Sequence, residues 1–176
     1  VENGGALNAD SKRVAVAGES AGGNLAANVA LMAKEAKITT PVHQLLVYPV
    51  AGKDMDTPSY KENPSTVPLS AKDMAWFFKE VLPAKSAAAD KRLDLVNRDD
   101  LAGVAPATVI LAQLDPLRSE GETYAGKLKS AGVEVNVKTY PGVTHEFFGM
   151  GKVVDEAKQA EDLAAADLKK AFGGGM

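Results

Sequence analysis

Apolar positions in this chain form short solid runs separated by stretches with helical spacing, and the two kinds alternate along most of the length. "RVAVA" (13–17), "HQLLVYPV" (43–50, ended by Pro49) and "TVILAQL" (108–114) are such runs. Apolar throughout and bounded by turn residues, they predict strands buried on both faces. "VEVNVKTY" (133–140) alternates instead, with Val133, Val135 and Val137 on one side. That pattern predicts a strand with one wet face, near a sheet edge. Helices are expected between the strands. "AGGNLAANVALMAKEAK" (21–37) places Leu25, Val29 and Met32 along one apolar face, and "LRSEGETYAGKLKSAG" (117–132) stops at Gly132. A last helix is expected from about Val153 to Phe172, with its small and apolar residues at 153, 157, 160, 164, 168 and 171, before a loose "GGGM" tail. Strands of this kind joined by helical crossovers predict an α/β fold. Its parallel sheet has four strands in sequential order and helices on both faces.

Residues 52–105 break the alternation. The stretch holds Pro58, Pro64, Pro68 and Pro83 and one strong helix, "SAKDMAWFFKEVL" (70–82). Ser70 and Asp73 form a capping pair, Met74, Phe77, Phe78 and Val81 make an apolar stripe, and Pro83 stops it. Trp76 lies off the stripe, facing a pocket, a partner or solvent. An excursion this long between two strands is expected to cap or line a pocket within one domain spanning 1–176.

Composition narrows the function. The 176 residues carry 20 basic and 23 acidic side chains, well mixed, for a net charge of −3. No basic stripe points to nucleic acid. No apolar run approaches the ~18 residues of a membrane-spanning helix. With no cysteine there is no disulfide or thiolate metal site. A cysteine-free chain fits either redox compartment and leaves location undecided, with the cytoplasm favoured. The opening "VENGGALNADSKRVAVAG" reads as a helix end followed by a loop into a strand, so an N-terminal part is expected to be missing.

The chemistry concentrates in "GESAGGN" (18–24), directly after the first strand and before the first helix. G-x-S-x-G in that context is a nucleophile elbow. Gly18 and Gly22 allow a sharp turn, and Ser20 stands clear at the C-terminal edge of the sheet. The competing reading is a helix-capping serine in a glycine-rich turn. A serine nucleophile needs a base, and the base needs an orienting acid, in the chain order Ser, Asp or Glu, His. Of the two histidines, His43 comes too early and reads as a surface or partly buried imidazole. His145, in "YPGVTHEFFGM", follows the alternating strand, where Pro141 and Gly142 are expected to turn the chain toward the edge that carries Ser20. Asp115 ends the third strand at the same edge. It reads as triad acid or as a cap for the next helix, two jobs that one aspartate would not easily combine. Asp99, Asp100 and Glu120 are substitutes placed in a loop and a helix.

"GESAGGN", "YPV", "DDLAGVAPATVILAQLDPLRSEG" and "YPGVTHEFF", in this order, resemble the hormone-sensitive-lipase-like branch of the α/β-hydrolases, which holds bacterial acetyl esterases and carboxylesterases. The resemblance spans nearly the whole chain. It implies Ser20 as nucleophile, His145 and Asp115 as its partners, and the Ala21 amide as an oxyanion donor. It implies a small-molecule ester as substrate and no metal or organic cofactor. Departures are Glu19 and Ser119 where the branch has aspartate, and Glu146 where glycine is common. The branch's His-Gly-Gly-Gly motif, source of two further oxyanion amides, is absent together with the first strands of the fold. The chain alone is therefore expected to be a weak esterase.

The pocket candidates are Glu19, Leu117, Phe147, Phe148 and the 52–105 excursion, with plain core packing as the alternative for each. Two other functions compete with the esterase. One is a prolyl-oligopeptidase-like serine peptidase, weakened by "GESAGGN" and "DPLR". The other is a non-catalytic ligand receptor, like the plant gibberellin receptors that lack the histidine. A bare edge at strand 13–17 predicts either a homo-oligomer or a chain bound to its missing N-terminal half.

Overall fold

A computed structural model describes residues 3–82 and 90–173. Pro83 and the tail from 174 onward lie outside the described residues. Four strands, β1 (Ala15–Glu19), β2 (His43–Val47), β3 (Ala107–Leu114) and β4 (Val135–Thr144), form one sheet in the order β1-β2-β3-β4. Every pairing is parallel. The crossovers are α1 (Ala21–Glu35), a long connection holding α2 (Pro58–Glu62) and α3 (Ala71–Val81), and α4 (Arg118–Ser130). The last helix, α5 (Asp155–Ala171), follows β4.

The apolar runs of β2 and most of β3 are buried because both faces of the sheet are covered there, whereas β1, expected to be buried, is half-buried to exposed because it lies at the sheet edge. On one face Leu46, Val109 and Leu111 pack against Ala27, Ala30 and Leu31 of α1 and Tyr124 and Leu128 of α4. On the other, Leu45, Val47, Ile110 and Ala112 meet Ala157, Ala160 and Ala164 of α5. A third cluster joins Val50, Tyr60, Leu69, Met74 and Leu117, and seats the 52–105 excursion against the C-terminal end of the sheet.

Four expectations shift. The first strand starts two residues later than the apolar run and continues through Gly18 and Glu19, so it ends directly at Ser20. Leu25, Val29 and Met32 do not face the core but are 66%, 48% and 56% exposed. The small side chains opposite them let α1 lie close on the sheet, so packing followed the alanine face. In α3 the capping box forms as the spacing of Ser70 and Asp73 predicts. Of its stripe, however, only Met74 is buried, while Phe77 and Val81 stay open. Pro141 and Gly142 do not end β4. They sit within it at a break in register between Ala112 and Leu114, and Gly142 takes φ +69°, a left-handed conformation that suits glycine.

Candidate active site

The elbow is built from backbone constraints before any chemistry. Gly18 lies so close to the start of α1 that a Cβ there would sit 2.1 Å from the Gly22 carbonyl oxygen. Only a residue without a side chain permits that crossing. Ser20, between strand and helix, has φ 54° and ψ −122°, a strained conformation for a residue with a Cβ. Its N–H donates to the Val47 carbonyl at 2.9 Å, and its own carbonyl accepts from the Val50 N–H at 3.1 Å. The elbow is thus pinned to the end of β2 from both sides. Asn24, one turn into α1, adds a buried side-chain bond to the Val50 carbonyl at 2.9 Å.

His145 reaches this point from the end of β4. Its Nε2 lies 2.9 Å from the Ser20 Oγ and its Nδ1 2.7 Å from Asp115 Oδ2. Asp115 is fully buried and His145 is 3% exposed. A buried carboxylate on Nδ1 fixes the proton there and leaves Nε2 as acceptor for the serine hydroxyl. Asp115 also accepts the Leu117 N–H on Oδ1 at 2.8 Å. The cap reading does not hold, since α4 begins after Leu117 with no side-chain cap, and the bond to Leu117 instead orients the carboxylate from the backbone leading into the helix. The two Asp115 oxygens point apart, one to the imidazole and one to that backbone.

The surroundings of His145 include one feature that sequence reasoning did not reach, Tyr48, and one that it singled out, Glu146. Tyr48, φ +32°, lays its ring against the imidazole at 4.3 Å between centroids, and its hydroxyl donates to Glu19 Oε2 at 2.7 Å. Burial and the Glu19 carboxylate push the Tyr48 phenol well above its ordinary pKa, so it stays a donor. Glu146, φ +66°, holds Oε1 3.7 Å from His145 Nε2. The "YP" after the second strand was a visible signal for Tyr48. Its stacking depends on a backbone twist that no pattern encodes.

Two openings meet at Ser20. One, about 310 Å³, runs between α1 and α3 and is lined by Ala21, Leu25, Leu69, Met74, Phe77, Phe78 and Val81. The other, about 360 Å³, is bounded by Asp73, Trp76, His145 and Glu146. Trp76 thus rims a cavity while remaining 58% exposed. Ala21 opens α1, so its N–H has no acceptor within the helix. The excursion lines the openings through α3, but the other pocket candidates are placed differently. Leu117 and Phe147 are buried in the core clusters, and Phe148 packs half-buried beside Phe147. Glu19 is exposed and turned to Tyr48. Leu117 and Phe147 follow Asp115 and His145 in sequence, but the turns that aim those two side chains toward Ser20 send Leu117 and Phe147 into the core.

Asp100 and His43 lie apart from the Ser20–His145–Asp115 line. Asp100 pairs with Arg98 at 2.5 Å. His43 is buried at the opposite end of the sheet, with Nε2 2.8 Å from Thr108 Oγ1, and burial holds its pKa below the ordinary value. Among the described residues no group of three or more His, Cys, Asp or Glu could hold a metal ion, and no helix is long and apolar enough to cross a membrane.

Known proteins share this arrangement of elements. Ethyl acetate hydrolase of Pseudomonas putida is 34% identical over 97% of this chain and 54% of its own length. Carboxylesterase NlhH of Mycobacterium tuberculosis is 35% identical with the same two coverages. Among solved structures, the esterase rPPE superposes with a TM-score of 0.93 at 36% identity, over 97% of this chain and 55% of that one. A Pyrobaculum calidifontis esterase gives 0.89 at 37%, over 96% and 56%. The chain spans about half the length of the curated relatives it matches. Residues 1–149 match the alpha/beta hydrolase fold family. With that match, the four-stranded parallel sheet and the serine elbow at its edge, the chain belongs to the alpha/beta hydrolases.

Proposed function

We propose that this chain carries the catalytic centre of a serine carboxylesterase acting on short-chain acyl esters. The observation that carries the reading is the continuous line of hydrogen bonds from Ser20 through His145 to buried Asp115 at a strained elbow. The relatives' names, ethyl acetate hydrolase and carboxylesterase, support ester over peptide chemistry.

In this mechanism Ser20 Oγ attacks the ester carbonyl carbon while His145 Nε2 takes its proton. Asp115 holds the tautomer and stabilises the imidazolium. The carbonyl oxygen becomes an oxyanion, which the Ala21 N–H at the positive end of α1 helps to bind. The tetrahedral intermediate breaks its bond to the leaving oxygen, which departs as alcohol with the proton from His145. Water, deprotonated by the same imidazole, then frees the acid and restores Ser20. The apolar groove along Met74, Phe77 and Phe78 takes the acyl chain, and the cavity bounded by Asp73, Trp76 and Glu146 takes the alcohol.

The test is a series of p-nitrophenyl esters from acetate to octanoate run beside a prolyl p-nitroanilide. The expected result is turnover of the short esters, none of the anilide, and loss of turnover in Ser20→Ala. Anilide cleavage without ester cleavage would transfer the centre to the peptidases. Unchanged ester turnover in Ser20→Ala would remove the serine from the chemistry.

A further inference from the structure

The catalytic steps above leave unused one deeply buried carboxyl group close to the triad. Glu120 sits in the first turn of α4, the helix entered directly from Asp115, and is 3% exposed. Its Oε1 accepts the Ala51 N–H at 2.8 Å and the Gly52 N–H at 3.2 Å. Its Oε2 is buried with no hydrogen-bond partner among the described residues. The neighbouring residue of the same segment, Val50, donates its N–H to the Ser20 carbonyl at 3.1 Å and accepts from the Asn24 side chain at 2.9 Å. Residues 50–52 therefore hang between two supports. One is the backbone of the nucleophile elbow and the other is the helix that follows the triad acid.

We infer that Glu120 is a positioning residue that fixes the Ser20 elbow relative to Asp115, and that it does so as a neutral carboxylic acid. The inference rests on the esterase reading for its kinetic consequence, though not for its structural one. A side chain holding two buried N–H groups through one oxygen satisfies both donors at once, and buried unsatisfied donors are costly. Burial and the neighbouring acids disfavour the charged form, while the two N–H bonds favour it. Asp115 at the head of α4 and Asp54 from the excursion both face the group, and the buried Tyr60 phenol packs nearby without an acceptor of its own. Burial, outweighing the two N–H bonds, pushes the Glu120 carboxyl up to about 8. A folded-state value above the unfolded one means the unfolded chain loses this proton first. Folding stability from this group is therefore full below the unfolded carboxyl range, near 4.5, falls as pH rises toward 8, and levels off above it.

The discriminating pair is Glu120→Gln and Glu120→Ala. Glutamine keeps the acceptor and imitates the neutral acid, whereas alanine frees both N–H groups. Glu120→Ala is expected to lower kcat by ~10²-fold with KM within about twofold, as a small misplacement of reacting groups does. Glu120→Gln is expected to restore wild-type kcat. Hydrogen exchange at the Ala51 and Gly52 amides should accelerate in alanine and stay slow in glutamine. Thermal melts from pH 5 to pH 9 supply the measure of charge. The advantage of Glu120→Gln over wild type should grow by up to tenfold in the folding equilibrium per pH unit and stop growing near pH 8.

A glutamine variant as impaired as alanine would overturn the inference, as would an alanine variant with full kcat or a melting difference that is flat with pH. Should alanine fail to fold, the glutamine kinetics and the melts decide. Should no ester be turned over at all, the esterase reading fails, while exchange and melting still judge the tether and its charge.

Discussion

Asp115 holds the imidazole with one oxygen and the backbone entering α4 with the other, so its substitutions separate catalysis from folding. Asn in its place keeps an oxygen for the Leu117 N–H but presents the wrong partner to His145 Nδ1. Asp115→Asn is therefore expected to leave the melting temperature within a few degrees of wild type and to cost ~10⁴ in kcat, the size of effect seen when a triad aspartate loses its charge. Activity and melting on the same preparation check this. A nearly silent Asp115→Asn would move the acid elsewhere. At this scale the sequence was informative where chemistry dictates residue type and order. Strand ends and chain order pointed to Ser20, Asp115 and His145, and the structure brings these three side chains within hydrogen-bond distance. Pocket lining was not legible, because Leu117 and Phe147 differ from true lining residues only in the direction of a turn. The groove's Phe77 and Phe78 stood in plain view as an apolar stripe. Nothing in a stripe says whether its partner is core or cavity.

At the scale of elements, the strand–turn–helix is held by close approach more than by side-chain bonds. Gly18 has no room for a methyl group, whereas a Cβ at Gly22 meets nothing within 4 Å among the described residues. Gly23, outside the G-x-S-x-G pattern, is the crowded one, since a Cβ there would sit 2.8 Å from the Pro49 Cβ. The motif suggested that Gly18 and Gly22 shared one role, but only the first has it. Gly18→Ala is expected to destabilise by about 3 kcal/mol or more, since the neighbour is backbone and cannot move aside. Gly22→Ala should instead gain about 0.5–1 kcal/mol from helix propensity. Denaturant melts of the two variants test this, and equal losses would contradict it. The same logic explains why α1 turned its alanine face to the sheet. Hydrophobic spacing pointed to Leu25, Val29 and Met32, but close approach of helix to strands favours the smallest side chains.

On the scale of the whole molecule, the sheet has two edges and they differ. β4 carries alternating polar residues that suit an edge. β1 is short, and its one paired side faces β2. Next to it, Leu25, Val29 and Met32 of α1 and Phe77 and Val81 of α3 stand exposed. A strand edge beside an apolar surface is a template for another chain. In a sample containing this chain alone the available occupant is a second copy, most simply related by a two-fold axis. Light scattering at micromolar concentration is expected to give the mass of a dimer or larger, and Leu25→Lys with Met32→Lys should reduce it. A monodisperse monomer would contradict the expectation. The strand order and the α/β class were legible from the alternation of runs and crossovers. The identity of the exposed surface was not, because a single chain shows which residues are apolar and not what covers them.

Ser20 is predicted to be a nucleophile made reactive by His145 and Asp115. The most direct measurement is reaction with a fluorophosphonate followed by peptide mass mapping, which needs no knowledge of the natural ester. The predicted result is one adduct, on the peptide carrying Ser20, formed rapidly in the wild type, strongly slowed in His145→Ala and absent in Ser20→Ala. An unlabelled Ser20, or labelling as fast in His145→Ala as in the wild type, would contradict it.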